Sequence, residues 1–396
     1  MQVNNNNNLN QSYAPVLSGS ETAMQSMTNY VPSLPNLKPV APKRTFRAKN
    51  ITKSSTVKRV ARASSKINAP KRQNVSVVSE TPPKSPISAN FQSRGLTHIP
   101  EILPLDLEEL ILDGNYITSL AGIERYKNLK ALSITNNQIA DLSPLSGLSL
   151  LTQLSLEKNQ IVDLSPLAKL PLIFLGLSNN QVADLSPLAE IDSLTHLCID
   201  KNRVADLGPL SRLHALSYVT LNNNLVKDIS ALRELYDLNY IRLNHNQIEN
   251  LASLEKLTKL EMLELANNRV VSLSPLAGHV QLQVLLINKN LVSDLKPISG
   301  LPNLRVLEST SNQIEVIPDA LFNSFKLEVL RLGKNRIKAV PDGIRMLNSL
   351  KVLTLHMNQI DQAMPQIESP NLVTYWVHEN PIFLTAPAFV PADIKQ

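Results

Sequence analysis

The sequence predicts an α/β repeat solenoid preceded by a disordered basic tail. Three observations carry this. An Asn-terminated apolar frame recurs 13 times from Asn115 to Asn380, the first quarter of the chain has no apolar period, and 396 residues include only 11 Gly, one Trp and one Cys. So little glycine excludes collagen-like and Gly-loop designs. The lone Cys198 excludes a disulfide framework and a cysteine-based zinc site, and fits a reducing compartment.

Residues 1–92 are rich in Asn, Ser, Pro, Lys and Arg. Such a composition cannot bury enough apolar surface to offset its ordering entropy, so the segment reads as a disordered tail. Residues 1–95 hold 14 Lys+Arg against Glu21 and Glu80, leaving 25 basic and 31 acidic residues for the rest. The net charge of +6 therefore hides +12 and −6. Residues 38–72 hold 12 basic side chains and no acid. That stretch fits an anionic partner (nucleic acid, an anionic membrane or a microtubule) or an import receptor, beside the plain alternative of a solvated tail. Phe46 alone interrupts it as an aromatic, so base stacking has little support. Thr81-Pro82-Pro83-Lys84-Ser85-Pro86 resembles a proline-directed kinase site, where phosphate would reduce the positive charge.

No apolar run approaches the ~18 residues of a membrane span. The N-terminus, with Asn at 4–8, lacks an apolar signal core, and the C-terminus has no prenylation motif or anchoring tail. These features predict a cytoplasmic protein, with the nucleus or delivery into a host cell as alternatives.

The array is expected over 93–396. Its first clear unit reads Leu107, Leu110, Leu112, Asn115, Ile117, and the next Leu129, Leu132, Ile134, Asn137, Ile139. The period is 22 residues, except 21 once and 23 twice. The alternating part of the frame predicts a short strand with Leu inward. The Asn closes the strand, where its amide can donate to and accept from adjacent turns and so satisfy buried backbone groups. Ser143-Pro144, Ser165-Pro166, Ser186-Pro187 and Ser274-Pro275 predict helical returns with Ser as cap and Pro first. One unit cannot bury its Leu face alone, so units must stack. Leu96, Ile99, Ile102 and Leu103 are expected to cap the first layer, and Phe383, Leu384 and Phe389 the last.

This frame identifies the array as a leucine-rich repeat solenoid: a curved parallel sheet on the concave side, with short helical or irregular returns on the convex side. The Asp-Leu-Ser-Pro-Leu returns at 141–145, 163–167 and 184–188 resemble internalin-type repeats of bacteria. The 22-residue unit also resembles the repeat-containing regulatory subunit of protein phosphatase 1. Ile317-Pro318-Asp319 and Val340-Pro341-Asp342, in the 23-residue units, are similar to the ordinary typical repeat. No internalin-type helical cap, Ig-like domain or wall-sorting signal is visible.

The resemblance implies a non-enzymatic protein-binding scaffold, here read as a monomer. The residue before the second frame Leu is expected to face solvent on the concave sheet. That column runs Phe174, His196, Tyr218, Tyr240, Met262 in five consecutive units and continues as Val284, Val306, Val329 and Val352. Aromatics are scarce in this chain, and clustered ones suit an interface hot spot; the alternative is that they shield the sheet. Arg242 and Glu264 flank the run and can orient a folded protein partner. In the phosphatase-regulator family, acidic and aromatic residues between the frame Leu positions contact the phosphatase. Glu264 and Trp376 match that pattern, with Leu286, Glu308, Arg331 and Thr354 between them, and they imply an alternative role in phosphatase regulation.

Chemistry has little support. Cys198 and His196 share a strand face, but no orienting group or oxyanion site accompanies them. His356 and His378 occupy one column in adjacent units without completing a ligand set with Trp376 and Glu379. No catalytic residue, cofactor or metal site is assigned. One soft spot is expected: the unit of Asn312 places Ser309 where other units have Leu, Ile or Val.

Overall fold

The structure, a computed structural model, describes residues 87–367 and 369–382. The basic stretch 38–72, the kinase-like hexapeptide and the expected cap residues Phe383, Leu384 and Phe389 lie outside the described residues. Fourteen three-residue strands form one parallel sheet in chain order, from β1 (Ser88–Asn90) and β2 (Glu109–Ile111) to β13 (Val352–Thr354) and β14 (Thr374–Trp376). The register is the repeat itself: Glu109 pairs with Ala131, and Val352 with Thr374. The frame aliphatics form one continuous buried stack from Ile99 to Ile360, in which Tyr126 and Phe322 are fully buried aromatics.

The frame Asn residues make the ladder their spacing predicts. Asn137 Oδ1 accepts the Ile117 N–H at 3.0 Å, and its Nδ2 donates to Leu112 O at 3.0 Å. Asn159, Asn224 and Asn290 repeat the pattern, and each bonds the unit before it. The residue preceding each ladder Asn is left-handed: Gly114 has φ 66°, and from Asn136 to Glu379 the others, none of them Gly, lie between 54° and 61°. This turns the chain so that the Asn side chain points back under the strand ends. It also explains why so little glycine suffices.

The returns are single 3-10 turns such as Ser143–Leu145, Ser165–Leu167 and Ser186–Leu188, with Pro in the first turn. Ser is not the cap. Asp141, Asp163 and Asp184, two residues before the Ser, each accept its N–H through Oδ1 at 2.8 Å. The hydroxyl and N–H of the same Ser hold these carboxyls below their usual range.

Two further expectations are corrected at the first layer. The sheet begins at Ser88, inside the segment read as tail, because Ile87, Ala89 and Phe91 supply apolar contacts to the core and β1 pairs with β2. Ile99 is buried and Leu96 and Leu103 pack on the core, but Ile102 is 96% exposed and caps nothing. At the expected soft spot Ser309 is fully buried, and its Oγ accepts the Asn312 Nδ2–H at 3.0 Å. Asn residues of other units give that bond to a backbone carbonyl.

Candidate functional site

Strand alternation puts two columns on the face opposite the core, beginning at Glu109 and Ile111, and a third follows from Asp113. The first holds Phe174 (in β5, Phe174–Gly176), His196 (in β6, His196–Cys198), Tyr218 (in β7, Tyr218–Thr220), Tyr240 (in β8, Tyr240–Arg242) and Met262 (in β9, Met262–Glu264). The structure brings these into one row, as the spacing requires, but it does not leave them open. Phe174, Tyr218, Tyr240 and Met262 are 9, 8, 9 and 5% exposed, and Val284, Val306, Val329 and Val352 are buried as well. The expectation of a solvent-facing column is corrected. At a strand spacing of ~4.8 Å, flat side chains in register close over one another. The Tyr218 and Tyr240 rings stack at 4.2 Å and 17°, and His196 stacks on Tyr218 at 5.6 Å. Burial raises both phenol pKa values and lowers that of His196.

Charged side chains stand on either side of this row. Arg242 Nε donates to Glu264 Oε2 at 2.8 Å, and Asn244 Nδ2 donates to the same oxygen at 2.6 Å. The Arg242 side chain is 37% exposed while that of Glu264 is 7%. Further along, Arg331 Nε lies 3.1 Å from Glu308 Oε1, an ion pair bent too far for a hydrogen bond. Glu328 accepts from both Arg305 (2.8 Å) and Lys351 (2.7 Å), and those bonds hold its carboxyl below the usual range despite burial. Trp376, half-buried in β14, meets the His356 ring edge-on at 5.9 Å, and His356 stacks on His378 at 5.3 Å. Among the described residues no group of three or more His, Cys, Asp or Glu could hold a metal.

Cys198 and His196 share a face but not a reaction geometry. His196 Nδ1 bonds Thr195 Oγ1 at 2.8 Å. Burial and the nearby Glu157 push the Cys198 thiol up to about 12, so it is no thiolate near neutrality. The sequence reading overlooked the third column. There Asp113, Asp200, Asn222, Asn244 and Asn288 form a second ladder, each accepting the N–H of its counterpart one unit on at 2.7–2.8 Å. Their recurrence at the same 22-residue offset was available as a signal. The reading also overlooked Glu157. Its side chain lies over Gly176, where a Cβ would run into the carboxylate; burial raises its pKa, and Oε2 has no hydrogen-bond partner.

The family described as Leucine Rich repeats (2 copies) matches residues 106–147, 127–169, 192–234 and 237–278, and the family described as Leucine rich repeat matches 302–360. Compared by sequence with curated proteins, the chain has no match. Among solved structures, an internalin (InlF) of Listeria monocytogenes is 34% identical over 69% of this chain and 81% of its own, with a TM-score of 0.65. A leucine-rich repeat protein of Leptospira interrogans shares the fold at 22% identity (75% of this chain, 91% of its own, TM-score 0.65). So does the plant peptide hormone receptor RGFR1, solved in complex with RGF2, at 20% identity (70% of this chain, 53% of its own, TM-score 0.60). With its frame, its Asn ladder and these matches, the chain belongs to the leucine-rich repeat family and resembles the internalins.

Proposed function

We propose that this chain is a non-enzymatic scaffold that binds a folded protein on the outer face of its sheet, between Phe174 and Trp376. The observation that carries the reading is the half-exposed Arg242, fixed by Glu264 beside the Tyr218–Tyr240 stack. A guanidinium held in one orientation next to a rigid aromatic floor loses little entropy on binding. Arg242, His196 and Trp376 are the contacting groups, whereas Phe174, Tyr218, Tyr240, Met262 and Glu264 form the floor and the clamp. The fold hosts a peptide ligand in the plant receptor RGFR1, which supports a ligand-binding role for the same architecture.

Affinity capture with the full chain, followed by titration calorimetry on the recovered partner, tests the proposal. Arg242→Ala should weaken binding by about 2 kcal/mol, and Lys158→Ala, off the row, should leave it unchanged. Equal affinities for both variants would move the interface off this face. Among the described residues no helix is long and apolar enough to cross a membrane. A cytoplasmic, monomeric protein remains our proposal for its setting.

A further inference from the structure

The outer face is electrically divided. In the three outward columns of its C-terminal half the carboxylates are matched: Glu264 by Arg242 and Glu308 by Arg331. In its N-terminal half, from β2 to β7, the three outward columns hold Glu109, Asp113, Glu157 and Asp200 and no Lys or Arg. Lys158 and Lys201, on the following turns, form no ion pair with them. The middle column there is Ile111, Ser133, Ser155, Gly176, Cys198 and Thr220, so beyond Ile111 these carboxylates border a shallow furrow of small side chains. Beside it the Glu157 side chain lies over Gly176, and its buried Oε2 has no hydrogen-bond donor.

We propose that the basic segment 43–72 of this same chain docks along this half of the face. The segment holds 11 Lys+Arg and no acid, the charge the furrow lacks. The chain enters the sheet at Ile87, beside β2, so the tether starts at the acidic end. Fourteen residues separate Arg72 from Ile87, and the connecting chain spans at most about 50 Å extended. The furrow, five strand spacings long, needs only about 24 Å. Tethering keeps the local concentration of the segment high, so individually weak ion pairs suffice. The claim stands or falls apart from the protein-binding reading, which rests on Arg242 in β8, although the two stretches overlap from Phe174 to Tyr218.

Carbodiimide cross-linking of the full chain, mapped by mass spectrometry, tests it. Lysines 43, 49, 53, 58, 66 and 71 should join to Glu109, Asp113, Glu157 or Asp200. Linkage instead to the exposed Asp141, Asp163 and Asp184 of the returns, or no linkage of these lysines, overturns the proposal. So does linkage found only between differently isotope-labelled chains, which would make a second copy the occupant. As a second readout, Asp113→Asn, Glu157→Gln and Asp200→Asn together should speed tryptic cleavage within 43–72 about tenfold at low salt, with no difference at high salt. The Asn substitutions suit the fold, because Asn already fills that column at 222, 244 and 288. If the triple variant fails to fold, the wild-type cross-link map decides alone.

Discussion

A single ladder Asn shows how strongly one side chain can be coupled to this fold. Asn224 donates to Ile199 O and Leu221 O and accepts from the Val204 N–H. Asn224→Ala strands buried backbone groups of its own and the preceding unit and should cost about 3 kcal/mol by urea denaturation. Asn224→Asp should cost at least as much, since a carboxylate would face two carbonyl oxygens. Tyr218 behaves differently from an exposed interface residue. It lies between His196 and Tyr240, so Tyr218→Ala should destabilise by about 2 kcal/mol. A melting temperature that does not change would return it to a purely binding role. Cys198 gives a pH test. Burial pushes its folded pKa up to about 12, above that of an exposed thiol, so the folded state holds the proton more tightly. That contribution is complete below about pH 9 and is lost as pH rises toward about pH 12. Denaturation at about pH 8 and about pH 10 should show a smaller loss in Cys198→Ser than in the wild type, and the folded thiol should resist alkylation at the lower pH.

At the scale of the element, the strand and its ladder were legible because both depend on local spacing. The frame Leu and Asn positions recur in register, and nothing outside the unit can override thirteen copies. The returns were legible only in outline. Ser-Pro suggested a Ser cap, whereas the acceptor is the Asp two residues earlier, an Asx-type turn that competes well for the same N–H. The outer face was misread for another reason. Alternation says which side a residue takes, but exposure depends on what the next strand places beside it. Glu157 over Gly176 and Tyr218 on Tyr240 are such lateral facts, visible only once adjacent units stand in register. The unit of Asn312 is expected to open most readily. Its hydroxyl is paired, yet Ser309 leaves the core without the bulk that other units supply, and the switch to 23 residues follows. Amide exchange over 304–320 should be faster than in the central units, and uniform protection would refute this.

For the whole molecule, stability is a sum of units and their nearest-neighbour contacts. The entry of the chain at Ser88 sharpens one test. Deleting residues 1–86 should leave the melting transition nearly unchanged at high ionic strength, where any docking of the basic segment is screened. Deleting 1–92 removes β1, uncovers the first Leu layer and should lower it by several degrees. Such an array is also open to growth and loss by recombination. Excising one 22-residue block between equivalent Asn positions rejoins Leu to Leu and Asn to Asn, and the interior has no record of the event. The charged rows do keep one: removing the block that carries Glu264 would set Arg242 beside Leu286 and leave it without its clamp. Unit order is therefore written on the outer face rather than in the core, and a lineage could shorten or lengthen this protein freely only outside the stretches where neighbouring charges name each other.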